Sequence, residues 1–222
     1  MGAKSSYGAK GGLCLCLQAG GASRRMGVDK ALKSFCGIPL VEWVLRCLLL
    51  SDLALLIDAI VITTNRPEAY RFLVERYHPK IELAVDLVKR AGALGGLYTA
   101  LMVSQMEITA VVACDLPFAD GEILKFGYEL LSKEDWDGFV PRTQAGLEPL
   151  HALYRTQPCI PLVREAIAEG RFKVTDWFSR TRIYVYDVEE KMPSPFFNVN
   201  TTEEFDQAEL WAKNGEGFPD GG

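Results

Sequence analysis

Four runs of apolar residues, each about the length of a β-strand, divide the first half of the chain. They cover residues 13–17, 59–63, 81–85 and 109–114, and segments with helical spacing separate them. The runs are apolar at nearly every position instead of every second one, which is typical of strands covered by helices on both faces. This alternation predicts an α/β fold with a mostly parallel central sheet between two helical layers.

The helix signals between and after these runs complete the outline. Pro39 and Pro67 mark the starts of two helices, since proline suits the first turn of a helix. Thr201 and Glu204 have the spacing of a capping box at the start of a last helix that ends near Lys213. The remaining predictions are helices at residues 94–104, 121–131, 161–169 and 174–179, and strands at 138–142, 147–154 and 182–188.

Length and composition favour one soluble domain. The chain has 222 residues, of which 49% are hydrophobic, so it can bury one large core. We expect a domain over residues 13–213, a flexible N-terminal tail at 1–12 and a flexible C-terminal tail at 214–222. The net charge of −5 argues against a nucleic-acid partner. Residues 1–12 lack the apolar core of a signal peptide, and charges interrupt the most apolar window, so we expect a cytoplasmic protein without a membrane partner.

The cysteines point to buried thiols. Six are present without a C-x-x-C pair, and four of them lie inside apolar runs, which suits a reducing compartment. An alternative is a zinc site at Cys14 and Cys16, whose side chains would leave a strand on the same face. The sequence offers no further ligands beside them, which disfavours that alternative.

A glycine turn followed by cations comes directly after the first apolar run. Gly20 and Gly21 allow backbone N–H groups to approach an anion closely, and Arg24, Arg25 and Lys30 add positive charge. The turn fits neither the Walker loop, which needs a Gly-Lys-Ser/Thr ending, nor the G-x-G-x-x-G dinucleotide pattern. The segment therefore predicts a phosphate site of another kind.

Polar residues also follow the other three runs. Asn65 comes after the second run, Asp86 after the third and Asp115 after the fourth. Ligands of open α/β sheets bind at the carboxyl ends of the strands, so these side chains should meet near the glycine turn. Mg²⁺ needs only one or two carboxylates when phosphates and waters complete its shell, and Asp115 is the candidate ligand. The alternative is that Asp115 only caps the helix that follows Pro117.

Residues 17–30, LQAGGASRRMGVDK, resemble at high specificity the signature L-x-A-G-G-x-S-x-R-M-G-x-D-K of the guanylyltransferases that complete the molybdenum cofactor. The resemblance extends over residues 13–210 and includes the segments TNRP at 64–67, CDLPF at 114–118 and FNVNT at 197–201. It implies a three-layer, Rossmann-like nucleotidyltransferase fold with a mostly parallel central sheet.

The resemblance also implies an activity and its residues. GMP would pass from GTP to the phosphate of molybdopterin or Mo-molybdopterin, with Mg²⁺ as cofactor and pyrophosphate as the second product. Catalysis would depend on Arg24, Arg25, Lys30 and Asp115, with Asp115 as the metal ligand. The nucleotide and substrate contacts implied are Gln18, Ala19, Gly20, Gly21, Lys30, Asn65, Asp86, Asp115, Asn198 and Asn200. Asn200 and Thr201 also suit an ordinary helix start, so the roles of Asn198 and Asn200 stay open.

Other functions on the same fold remain alternatives. They are a cytidylyltransferase for the cofactor, a sugar-phosphate nucleotidyltransferase, and a non-catalytic nucleotide-binding protein. The segment Glu148-Pro149-Leu150-His151 departs from the family's His-Pro pattern at the place where the pterin substrate is expected, so it leaves the acceptor's identity open. A molybdoenzyme or another cofactor-biosynthesis protein would be a plausible recipient of the product.

Overall fold

The computed structural model describes residues 10–19, 29–77, 80–189 and 191–215. Its strands are β1 (Lys10–Gln18), β2 (Ser34–Phe35), β3 (Ile38–Pro39), β4 (Ile57–Thr63), β5 (Ile81–Ala84), β6 (Met106–Ala113), β7 (Gly138–Thr143), β8 (Gly146–Leu147), β9 (His151–Arg155) and β10 (Ile183–Asp187). Its α-helices are α1 (Leu40–Leu49), α2 (Arg71–Tyr77), α3 (Gly92–Val103), α4 (Gly121–Lys133), α5 (Thr156–Ala168) and α6 (Thr202–Lys213).

A central sheet has the strand order β10-β7-β9-β6-β1-β4-β5, with β8 paired to β7. All strands of this order run parallel to one another except β9, which is antiparallel to both of its neighbours. After β1, the chain adds β4 and then β5 on one side of β1. It then returns and adds β6 on the other side of β1. The boundary between β1 and β6 is therefore the point where the strand order reverses, the usual ligand site of such sheets.

Helices cover both faces of the sheet, which explains the continuously apolar strands. In β1, Leu13, Leu15 and Leu17 are buried against α1, α4 and α6 on one face. Cys14 and Cys16 are buried against α3 and α5 on the other face. The predicted three-layer α/β architecture with a mostly parallel sheet is confirmed.

Several element boundaries differ from the sequence predictions. The strand predicted at 147–154 is divided into β8 and β9, because residues 148–150 leave the ladder and Pro149 has no N–H to contribute. The helix predicted to start at Pro161 begins at Thr156, directly after β9, and Pro161 lies inside it. The short helix predicted at 174–179 is a 3₁₀ turn at Phe178–Arg180.

The chain's first segment and a small hairpin also differ from expectation. β1 begins at Lys10, so residues 10–12, assigned to the N-terminal tail, belong to a strand. Residues 1–9 and 216–222 of the predicted tails lie outside the described residues. β2 and β3 form an unpredicted hairpin whose turn residues, Cys36 and Gly37, both have positive φ.

None of the helices in the described part of the chain combines the length and the apolar character that a bilayer crossing requires.

Candidate functional site

Lys30, Asp115 and Asn200 form a compact group, the lysine cluster, beside the reversal of the strand order. Lys30 Nζ donates to Asp115 Oδ2 at 2.7 Å and to Asn200 Oδ1 at 3.0 Å. The side chains of Lys30 and Asp115 are only 15% and 20% exposed, so this ion pair is largely shielded from water. Residues separated by 170 positions in the chain thus meet at one cation.

The loop that carries Asp115 is fixed by several neighbours. Cys114 N donates to Gln18 O at 3.1 Å, and Val199 N donates to Asp115 O at 3.0 Å. Further along, Trp43 Nε1 of α1 donates to Pro117 O at 2.8 Å. Asp115 therefore has a fixed backbone in front of the sheet, with its carboxylate turned toward Lys30.

Asp115 is not the cap of the following helix. The helix α4 starts at Gly121, and the side chain of Asp120 accepts from the backbone N–H groups of Glu122 and Ile123 at 2.8 and 3.4 Å. The capping alternative for Asp115 is therefore wrong, and its carboxylate is available for other chemistry.

The end of the Asp115 loop, at Asp120, is hydrogen-bonded to a buried histidine. His151 is fully buried at the start of β9, and its Nε2 accepts from Asp120 N at 3.0 Å. Burial lowers the pKa of His151 to about 4, against a weaker opposing effect of Asp120. The ring is therefore neutral near pH 7 and carries its proton on Nδ1, because Nε2 acts as the acceptor.

Asn200 makes two separate hydrogen-bond contacts, one through its side chain and one through its backbone. Its side chain accepts from Lys30, while its backbone N–H donates to the carboxylate of Glu204 at 2.7 Å. Thr201 and Glu204 form the predicted capping box of α6. The two alternatives for Asn200, a site residue and a helix start, are thus compatible. Asn198 is exposed beside this segment.

A second group, the amide cluster, lies at the ends of β1, β4 and β5 and consists of Gln18, Asn65 and Asp86. Asn65 Nδ2 donates to Asp86 Oδ2 at 2.8 Å. Burial raises the pKa of Asp86, and the hydrogen bond from Asn65 opposes this shift. Within the described residues, Asp86 Oδ1 is buried without a hydrogen-bond partner.

Gln18 lies on the α3 side of the sheet and is 6% exposed. Its Nε2 has no hydrogen-bond partner in the described residues. A Cβ atom at Gly96 would lie 2.9 Å from Gln18 Oε1, so the glycine lets α3 approach this side chain. The amide cluster thus offers an unpaired donor, at Gln18, and an unpaired acceptor, at Asp86. Buried polar groups in this state point to a polar partner, a water or a ligand.

The predicted phosphate loop is only partly described. Ala19 is buried, and its backbone N–H donates to Thr63 O at 2.9 Å. Gly20, Gly21, Arg24 and Arg25 lie outside the described residues, so their proposed contacts with a nucleotide stay predictions.

Sequence reasoning did not identify the polar contacts just before Lys30. Tyr70 OH donates to Asp29 Oδ2 at 2.9 Å, and Arg66 Nη1 lies 4.0 Å from the same oxygen. The local sequence gives no sign that the Tyr70 hydroxyl reaches Asp29, because the two residues lie 41 positions apart. The one sequence signal for these contacts is the position of Asp29 in the signature, directly before Lys30.

The described residues fit a magnesium ion better than a zinc ion. They contain no group of three or more His, Cys, Asp or Glu side chains arranged to hold a metal. Cys14 and Cys16 are buried, with no such set around them. A single carboxylate such as Asp115, completed by phosphate oxygens and water, suits Mg²⁺.

The fold, the reversal point and the two polar clusters define a nucleotidyltransferase-type α/β protein. Comparison with known proteins agrees. The family model described as "MobA-like NTP transferase domain" matches residues 15–182. The chain belongs to this family of nucleotidyltransferases.

Named relatives span nearly the whole chain. A "Probable molybdenum cofactor guanylyltransferase" of Natranaerobius thermophilus is 31% identical over 196 residues, which cover 86% of this chain and 91% of the relative. A "Molybdenum cofactor guanylyltransferase" of Syntrophotalea carbinolica is 26% identical over 205 residues, covering 90% of each chain.

Solved structures show the same architecture. Molybdopterin-guanine dinucleotide biosynthesis protein A from Archaeoglobus fulgidus superposes with a TM-score of 0.73 at 27% identity, covering 90% of this chain and 99% of that one. A 4-diphosphocytidyl-2C-methyl-D-erythritol synthase from Anaerococcus prevotii gives a TM-score of 0.69 at 16% identity, covering 91% and 96%, and shows the fold alone.

Proposed function

We propose that this protein transfers GMP from GTP to the terminal phosphate of molybdopterin, with or without bound molybdenum, and releases pyrophosphate. The lysine cluster carries the proposal, because it places one cation and one carboxylate at the reversal of the strand order. The names of the relatives supply the guanylyl group and the molybdenum-cofactor acceptor. Together they favour this reaction over the cytidylyl and sugar-phosphate alternatives.

The two clusters divide the nucleotide between them in this proposal. The amide cluster takes the base and ribose, since guanine presents both donors and acceptors to groups such as Gln18 Nε2 and Asp86 Oδ1. Lys30 binds the phosphates, together with Gly20, Gly21, Arg24 and Arg25. Asn198 and Asn200 face the incoming acceptor.

Asp115 would hold Mg²⁺, which would neutralise charge on the nucleotide phosphates when bound. An oxygen of the acceptor phosphate forms a bond to the α-phosphorus of GTP. The bond from that phosphorus to the bridging oxygen breaks, and its electron pair leaves with pyrophosphate. The attacking phosphate is already ionised, so the site needs no general base. Catalysis then depends on positioning the two substrates and on neutralising the negative charge of the phosphates. Lys30 supplies positive charge for this purpose.

Pyrophosphate release in the presence of molybdopterin and Mg²⁺ tests the proposal. We expect release with GTP, much less with CTP, and none without the acceptor. A clear preference for CTP would assign the cytidylyl reaction instead. Nucleotide binding by calorimetry without any pyrophosphate release would point to a non-catalytic nucleotide-binding protein.

A further inference from the structure

The carboxyl edge of the sheet continues beyond the lysine cluster, on the side away from the nucleotide residues. The amide cluster occupies the ends of β1, β4 and β5. In the opposite direction, the order from β6 is β9, β7 and β10. Residues 148–150 connect β8 to β9 at this part of the edge.

This connection is held rigidly between two strands. Glu148 N donates to Pro141 O of β7 at 2.9 Å, and Ala113 N of β6 donates to Leu150 O at 2.8 Å. In addition, Tyr154 OH donates to Pro149 O at 2.8 Å. The segment therefore spans the distance from β7 to the strand that ends just before Asp115.

The spacing places Glu148 within reach of a substrate bound at Asp115. Two residues of extended chain cover at most about 7 Å, and neighbouring strands lie about 4.8 Å apart. The path from Glu148 through Leu150 and Ala113 to Asp115 consists of two such two-residue steps and one strand spacing, so it measures at most about 19 Å. An acceptor whose phosphate lies at the lysine cluster can therefore extend along the edge toward Glu148.

Glu148 has the properties of a group that accepts hydrogen bonds from a ligand. It is half-buried, and no cation of the described residues pairs with it. Its Oε1 accepts from Thr143 Oγ1 at 3.1 Å, while no described residue donates to Oε2. Burial raises the pKa of this carboxyl, and the Thr143 hydrogen bond only partly opposes the shift.

A carboxylate in this state selects its partner by chemistry. It repels phosphate and other anions, and it binds groups that present N–H donors. The 2-amino and N3–H groups of a pterin ring are two adjacent donors, which match the two oxygens of one carboxylate. A sugar phosphate has no such edge.

We propose that Glu148 is the residue that recognises the acceptor, by accepting hydrogen bonds from the amino and N–H edge of its pterin ring. This inference rests on the proposed function for the identity of the acceptor. It assigns the Glu148 side of the edge to the acceptor and the amide-cluster side to the nucleotide.

The variant Glu148→Gln tests this role, because it keeps an oxygen for Thr143 and removes the charge. We expect the KM for molybdopterin to rise roughly 10- to 100-fold, the effect of losing a hydrogen bond to a charged group. The kcat should stay within about threefold, and the Kd for GTP with Mg²⁺ should stay unchanged. Equilibrium binding of molybdopterin, followed by pterin fluorescence, should weaken by the same factor as the KM.

The matched control is Thr143→Val, which removes the hydroxyl's contacts with Glu148 Oε1, Gly146 O and Ala145 N but leaves the carboxylate. We expect its KM for molybdopterin to stay near that of the wild type. An unchanged KM in Glu148→Gln, or an equal rise in both variants, would overturn the inference. Wild-type protein that binds molybdopterin through Glu148 but releases no pyrophosphate would contradict only the proposed function.

Discussion

Lys30 Nζ contacts two oxygens, and one of them belongs to the carboxylate proposed for magnesium. With a metal on Asp115, the ammonium group and the ion would repel each other, so Lys30 is expected to turn to the nucleotide phosphates. The ion pair brings the cation and the carboxylate together beside the reversal of the strand order.

Lys30→Ala should lower turnover by roughly 10²- to 10³-fold, the usual effect of removing a preorganised charge-stabilising donor. The matched control is Lys33→Ala, since Lys33 lies 3.8 Å from the centre of the Phe205 ring and makes a packing contact instead. The turnover of both variants is measured by steady-state pyrophosphate release. Near-wild-type turnover of Lys30→Ala would exclude the role in catalysis.

Asp115→Asn should raise the Mg²⁺ concentration needed for half-maximal activity, because an amide oxygen is a weaker ligand for a hard cation. Thermal unfolding should stay close to that of the wild type, since the amide oxygen of Asn can still accept from Lys30 Nζ and the side chain does not cap α4. Asp120→Ala is the opposite control. It removes the α4 cap, so we expect a loss of about 1 kcal/mol in stability and an unchanged Mg²⁺ requirement. Equal losses of stability and activity in Asp115→Asn would show a structural role.

His151 gives stability a defined dependence on pH. Its pKa is about 4 when folded and 6.5 in the unfolded chain, so the unfolded state binds more protons between these values. The contribution of the neutral His151 ring to the free energy of unfolding is therefore complete above pH 6.5. It is lost as the pH falls toward 4, and the total loss is about 3 kcal/mol. Chemical denaturation from pH 7 to pH 4 measures it. His151→Phe should flatten this part of the curve, and an equally steep curve would show that another group is responsible.

The first two helices are joined through a buried carboxylate. Glu42 of α1 is fully buried and accepts from Arg46 Nη2 at 2.7 Å, from Arg76 Nη1 of α2 at 2.5 Å and from Tyr77 OH at 3.1 Å. Burial alone would raise the pKa of Glu42, but these hydrogen bonds outweigh it and lower the pKa. Arg46 follows Glu42 by four positions, a spacing that indicates neighbours within one helix. The local sequence gives no sign of the contacts from Arg76 and Tyr77, because these residues lie on another helix.

Glu42→Ala should lower the free energy of unfolding by about 2–3 kcal/mol, the range for hydrogen bonds to charged groups. Because the folded pKa is lowered, the wild type should lose this contribution only as the pH falls below the ordinary value of 4.5. Urea denaturation of Glu42→Ala and of the exposed control Glu75→Ala measures the difference. A change within about 0.5 kcal/mol, as expected for the control, would show that the network contributes nothing.

The element predictions succeeded and failed for physical reasons. The apolar runs identified β1, β4, β5 and β6, because burial on both faces leaves a signal at every position. The β8 to β9 division was missed because Leu147 and Leu150 continue the apolar pattern across a loop. The start of α5 was missed because Pro161 looks like a first-turn residue, although the helix starts five residues earlier at Thr156.

Strand order determines which side chains meet. Local sequence placed Lys30, Asp86 and Asp115 after strands, and the rule for carboxyl ends predicted that they share one edge. It did not predict that Asn200 would contact Lys30, because this pairing depends on how the last segment returns to β6. Nor did it show that polar groups lie on both sides of Asp115, with the amide cluster on one side and Glu148 on the other.

A crystal structure of the protein with GTP and Mg²⁺ tests most directly whether this edge binds a metal–nucleotide complex. We expect Mg²⁺ on the carboxylate of Asp115, Lys30 Nζ on the phosphates and the guanine ring at Gln18 and Asp86. An intact Lys30–Asp115 ion pair beside an empty edge, or GTP bound elsewhere on the protein, would contradict the assignment.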